Sequence, residues 1–201
     1  MKITSFTGGI AETHGYLIET SQGNILIDAP EGILRWLQTH DRHVSDVLLT
    51  HQHYDHVIDA AALQISGAKL HAFAPYSQDL TLESAARSWG MPLSVEPYTI
   101  DHLLLPDQAL EMIGLQITIS HLPGHASDSL TFYLANEAVV FSGDTLFSGS
   151  IGRTDLPGGS TETLLQGIRS SLMKLPSNTR VLPGHGPETT IGYEATHNPF
   201  L

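Results

Sequence analysis

The chain has 201 residues, enough for one domain that buries roughly 65 to 75 per cent of its unfolded surface. It contains no cysteine, which excludes disulfides, thiolate ligands and a cysteine nucleophile, so any metal must be held by His, Asp and Glu. Nine Lys and Arg against 21 Asp and Glu leave a net charge of −12, a surface that repels polyanions and gives no footprint for nucleic acid.

At the N-terminus, Met1-Lys2-Ile3-Thr4-Ser5-Phe6 lacks the apolar run of an export signal, and no stretch reaches the ~18 apolar residues of a membrane span. The expectation is a cytoplasmic protein with no membrane association. Residues 1–6, 15–19 and 24–28 read as short strands of a meander, separated by Gly and polar turns. Apolar residues at helical spacing (Ile33, Leu34, Trp36, Leu37) predict a helix over 33–40, and 44–49 reads as a buried strand. A helix over 57–66, a strand over 69–73 and a helix over 80–89 follow, the last ended by Gly90 and Pro92. The stretch 91–108 shows the least periodicity. Strands are expected at 115–120, 130–134 and 138–141, a helix at 161–175 and a last strand at 180–182. Strands come first and then mix with helices, twice over, which suggests two similar halves. No linker or low-complexity tract interrupts them, so residues 1–201 are expected to be a single α/β domain.

His51-Gln52-His53-Tyr54-Asp55-His56 packs four metal-ligand side chains into six residues directly after the expected strand 44–49. One helix could not put all four on one face, so irregular backbone is expected there. Three further candidates each follow an apolar run and a Gly: His125 in Pro123-Gly124-His125, Asp144 in Ser142-Gly143-Asp144 and His185 in Pro183-Gly184-His185. Ligands leaving the ends of several strands can converge on one crevice. A closed structural zinc needs four ligands, whereas seven suit two ions with positions open to water and substrate. The assignment is His51, His53 and His125 to one ion and Asp55, His56 and His185 to the other, with Asp144 bridging. His14, His40, His43, His71, His102, His121 and His197 are read as surface or core residues, His14 being the one whose loop could reach the strand ends. Arg153 and Asp155 read either as a buried ion pair bracing the loop after Asp144, or with Arg153 meeting a substrate carboxylate. Ser160 is expected to cap the next helix.

With these residues the chain resembles the metallo-β-lactamase superfamily, whose His-x-His-x-Asp-His signature is matched by His51 to His56. Gly143-Asp144-Thr145-Leu146-Phe147, Gly152-Arg153-Thr154-Asp155 and Pro183-Gly184-His185-Gly186 are similar to the short bacterial glyoxalase II-like branch. Val57, Ile58 and Asp59 follow where a Gly is common, and Asp59 is read as an ordinary polar residue near a helix start. The resemblance implies a four-layer αββα sandwich with two divalent ions at one edge, Zn2+ first, with Fe or Mn as alternatives.

The implied reaction is hydrolysis of a small-molecule acyl-thiol substrate such as S-lactoylglutathione. A metal-held hydroxide would attack the carbonyl, with Asp55 and Asp144 as catalytic ligands. A thiolate leaving group of pKa ~8.5 needs little protonation, in keeping with the lack of a clear general acid. The rival within the same fold is a mononuclear iron persulfide dioxygenase, since that group also carries Gly-Arg-Thr-Asp, and a further alternative is hydrolysis of another ester or lactone. The sequence carries no signal for an oligomeric state.

Overall fold

The computed structural model describes residues 1–106 and 108–201, which divide into two compact units, 1–104 and 105–201. Unit one opens with strands β1 (Lys2–Gly8), β2 (Thr13–Thr20) and β3 (Gly23–Ile27), the expected antiparallel meander. Helix α1 (Ile33–Thr39) then crosses to β4 (Asp46–Leu48), α2 (Tyr54–Val57) and α3 (Ala60–Ile65) cross to β5 (Lys69–Ala72), and α4 (Glu83–Ser88) precedes β6 (His102–Leu103). From β3 onward the strands are parallel, in the order β1-β2-β3-β4-β5-β6. Leu17, Leu26, Val47 and Leu70 meet Ile33 and Leu37 of α1 and Ala60 and Leu63 of α3 in one apolar cluster. Ile18, Ile25, Ile27 and Leu48 alternate with those strand residues and are fully buried too, which is why these strands read as continuous apolar runs.

Unit two repeats the plan. Strands β7 (Ala109–Met112), β8 (Leu115–His121), β9 (Leu130–Leu134) and β10 (Val139–Gly143) form an antiparallel series. A hairpin of β11 (Leu146–Phe147) and β12 (Ser150–Ile151) follows, and α5 (Thr161–Ser170) crosses to β13 (Arg180–Pro183), parallel to β10. Last come β14 (Thr189–Thr190) and α6 (Ile191–His197), and the sheet order is β14-β13-β10-β9-β8-β7. Leu164 and Ile168 of α5 and Ile191 of α6 pack on Val140 and Val181. Each unit thus carries one β layer and one α layer, so the two similar halves are real at the level of element order. Among the described residues, no helix is long and apolar enough to cross a membrane.

The structure corrects several boundaries. The expected helix 57–66 breaks at Ile58–Asp59, because the Asp59 N–H donates to the Ala29 carbonyl (3.0 Å) and its carboxylate accepts from the Leu34 N–H (2.9 Å). Asp59 is therefore a tertiary anchor rather than an ordinary polar residue, and burial pushes its carboxyl above the usual range. The helix expected over 161–175 ends at Ser170 and passes into a 3₁₀ turn at Leu172–Lys174. Ser160 caps α5 as expected, its side chain accepting from the Thr163 N–H. Strands β7 and β14 and helix α6 were not anticipated.

Candidate metal centre

In unit one the ligand string starts three residues after the end of β4. His51 and His53 sit on irregular backbone, while Asp55 and His56 lie within the single turn of α2, so only the first half of the string is irregular as expected. The rings of His51 and His53 are 4.7 Å apart and those of His51 and His56 are 4.1 Å apart.

Strand β3 runs parallel to β4, which brings Asp28 beside the string, and the Asp28 N–H donates to the Leu48 carbonyl (3.0 Å). The buried Asp28 carboxylate accepts from the Thr50 N–H (2.7 Å), the Thr50 hydroxyl (2.7 Å) and His56 Nδ1 (2.9 Å). Since the Thr50 proton is committed to Asp28, its oxygen can only accept from His51 Nδ1, 3.2 Å away. Both imidazoles are thereby held with Nδ1 protonated and Nε2 as the basic nitrogen, the tautomer that ligating histidines take when their other nitrogen meets an acceptor. Thr13, at the start of β2, donates to Asp55 Oδ2 at 2.6 Å. Sequence reading missed Asp28 and Thr13. A signal for Asp28 was available, because an Asp ends a buried strand there just as Asp144 does; Thr13 carried none. His14, kept open as a possible ligand, is hydrogen-bonded through Nδ1 to the Thr7 hydroxyl (2.9 Å).

In unit two, β8, β10 and β13 all run the same way, so their C-terminal ends share one edge, and His125, Asp144 and His185 leave from it. The pairing of Gly143 with Pro183 brings Asp144 and His185 out side by side, with His185 Nε2 3.3 Å from Asp144 Oδ2. The glycines before the ligands serve different ends. Gly124 has φ +133° and Gly143 φ +50°, conformations that favour glycine, whereas Gly184 has no positive φ and is only the donor to the Gly143 carbonyl (2.8 Å). At Gly152 a Cβ would run into the backbone carbonyl of Asp144, so this glycine permits the close packing beneath that ligand.

The Arg153 carbonyl accepts from His125 Nδ1 (2.8 Å), which again leaves Nε2 basic, 3.5 Å from Asp144 Oδ2. The guanidinium of Arg153 meets Asp155 with two bonds of 2.7 Å, and this holds the Asp155 carboxyl down to about 2. The pair is solvent-exposed, at 61% and 68%, and not the buried brace expected. It is the Arg153 backbone that touches the ligand set.

The donors fit divalent cations. Two donors ~2.1 Å from one ion at a tetrahedral angle stand about 3.4 Å apart. His56 Nε2 and Asp55 Oδ2 are 3.5 Å apart, and the two pairs at Asp144 Oδ2 measure 3.5 and 3.3 Å. In the His56 and His125 pairs a basic imidazole nitrogen faces a carboxylate oxygen, an acceptor-to-acceptor contact that a cation converts into attraction. Such N and O donors without sulfur suit Zn, Fe and Mn alike. Within the string, burial and then the Asp55 charge push the Tyr54 phenol above its ordinary value of 10.0.

Comparison with known proteins agrees with this picture. The family model of the metallo-β-lactamase superfamily matches residues 9–185. The hydroxyacylglutathione hydrolase GloC of Haemophilus influenzae is 34% identical over 92% of this chain and 91% of its own. Among solved structures, that of BLEG-1 B3 metallo-beta-lactamase superposes with a TM-score of 0.88 at 33% identity, covering 100% of this chain and 99% of that one. The structure of TTHA1623 in a di-iron-bound form gives 0.78 at 39% identity, covering 98% and 100%.

Proposed function

This chain belongs to the metallo-β-lactamase superfamily, and from that premise we propose that it is a dinuclear metal-dependent hydrolase of thioesters, of the hydroxyacylglutathione type. The observation that carries the metal part is the spacing of 3.3 to 3.5 Å between imidazole Nε2 and carboxylate oxygens, with Nδ1 of His56 and His125 tied to acceptors. In this reading His51, His53 and His125 would hold one ion and Asp55, His56 and His185 the other, with Asp144 available as a shared ligand. That TTHA1623 has been solved in a di-iron-bound form supports the reading of two ions, with iron as an alternative to zinc.

When bound, the ions supply activation of water near neutral pH and polarisation of a carbonyl. The chain's own residues do the positioning. Asp28, through Thr50 and His56, and the Arg153 carbonyl, through His125, orient the rings of His51, His56 and His125 and set the tautomer that leaves Nε2 basic and able to take a cation. Arg153 is read as bracing through its backbone, since its guanidinium already has a bidentate partner in Asp155. Thioester specificity rests on the likeness to GloC together with a leaving thiolate that needs little help from an acid.

The Gly152-Arg153-Thr154-Asp155 run favours a second reading, a mononuclear iron dioxygenase acting on a persulfide. Purified protein is assayed for bound metals per chain, for S-lactoylglutathione hydrolysis and for oxygen uptake with glutathione persulfide, with a β-lactam as a control substrate. Two ions with thioester turnover support the hydrolase; one iron with oxygen uptake overturns it. Asp55→Ala and His185→Ala are each expected to lower thioester kcat at least ~100-fold, the scale on which ligand-shell losses act. Full activity in both variants would remove the second ion from the reaction.

A further inference from the structure

Thr13 lies outside the ligand string and precedes it by some forty residues, yet its side chain makes a short contact to one of the string's donors. Its Oγ1 is 2.6 Å from Asp55 Oδ2, and the Thr13 side chain is fully buried while Asp55 is 16% exposed. A carboxylate accepts only, so the hydroxyl donates. The oxygen it meets is the same Oδ2 that stands 3.5 Å from His56 Nε2, at ligand spacing. We propose that Thr13 is a positioning residue that sets the affinity of one metal site, the one built on Asp55 and His56, by fixing the rotation of the Asp55 carboxylate. The inference rests on the two-ion reading above.

Three features make the hydroxyl a rigid post. Thr13 begins β2 and pairs with Gly8 across the β1–β2 hairpin, so its backbone is held by the ladder. A β-branched side chain in a strand has few χ1 choices. The neighbouring elements are independently anchored, since the Ala29 N–H donates to the His56 carbonyl at 2.7 Å and fixes α2 beneath the carboxylate. A carboxylate oxygen has two lone-pair directions; a short bond to one orients the other. Without that bond the Asp55 side chain regains rotamer freedom that ion binding must then remove. Outer-shell partners of this kind are worth about 10- to 100-fold in metal affinity.

The test uses metal-free full-length protein titrated with Zn2+ against a chromophoric chelator, which resolves the two equivalents without any substrate. Thr13→Val keeps the shape and removes the hydroxyl, Thr13→Ala removes it with more room, and Thr13→Ser retains it. Wild type is expected to take up two ions. In T13V and T13A one equivalent weakens about 10- to 100-fold while the other stays within about twofold, and T13S stays within about threefold of wild type on both. Two ions in wild type with unchanged isotherms in T13V and T13A would overturn the inference and leave the two-ion reading intact. Equal weakening in T13S would overturn it too, by assigning the effect to packing. A wild type that takes up one ion overturns the two-ion reading and this inference with it. Should T13V fail to fold, T13A and T13S decide between the same outcomes.

Discussion

Asp28 does more for the ligand string than any residue outside it. It adopts φ +60°, a strained value for a side chain other than Gly, and offers two oxygens to three donors around one turn of chain. Asp28→Asn replaces one acceptor oxygen with a donor that faces donors. It is expected to destabilise the metal-free protein by about 2 kcal/mol, read as a lower urea midpoint. A midpoint unchanged within error would refute the network as drawn.

His71 makes a separate prediction at the same scale. It is buried on β5, donates Nε2–H to Asp46 Oδ1 at 2.7 Å and lies against the His102 ring, with Asp101 beyond. Burial lowers its pKa below 6.5, and Asp46 opposes that only in part. The unfolded chain therefore binds the proton first. The stability that neutral His71 contributes is present above the unfolded value of 6.5 and is lost as pH falls toward the folded pKa. Urea midpoints should fall between about pH 7.5 and 5.5 in wild type and fall less in His71→Gln, whose amide can still donate to Asp46. Parallel slopes would sink the assignment.

At the scale of elements, helix α6 shows what local pattern could not reveal. Seven residues, one of them Gly192, form no stable helix alone, and the run has little apolar periodicity. It holds because the buried Glu194 carboxylate accepts from the Thr189 hydroxyl (2.6 Å), the Gly149 N–H (2.9 Å) and the Asn198 amide (2.8 Å), which ties α6 to the β11–β12 hairpin. Glu194→Ala leaves three donors without that acceptor and should cost about 3 kcal/mol. A loss under about 1 kcal/mol in urea unfolding would mean that water replaces the carboxylate. The break between α2 and α3 was hidden for the same reason, since the bonds of Asp59 to Ala29 and Leu34 are tertiary. By contrast β2, β3 and β8 to β10 were legible, because their apolar residues carry the signal of burial themselves. The seven candidate donors could be singled out by residue type and by their places after strands, while Thr13 and Asp28 act through partners distant in sequence or across a strand pair.

For the molecule as a whole, the net charge of −12 includes two candidate ligand carboxylates, Asp55 and Asp144. Two divalent ions would bring the net charge to roughly −8. Metal binding should therefore appear as folding stability. A ligand at one hundred times its Kd adds about 2.7 kcal/mol, and for a chain of this size that raises Tm by roughly 5 to 10 °C per site. Protein stripped with a chelator should melt correspondingly lower, and its Tm should climb with the logarithm of free Zn2+. Magnesium, which prefers octahedral oxygen ligands, should give little of the shift. The same scan separates a coordinated ion from a surface effect. Asp144→Asn should flatten the Zn2+ dependence, while the exposed Asp155→Asn, an equal change in charge, should leave it steep. If the two variants respond alike, bulk charge and not coordination is the cause.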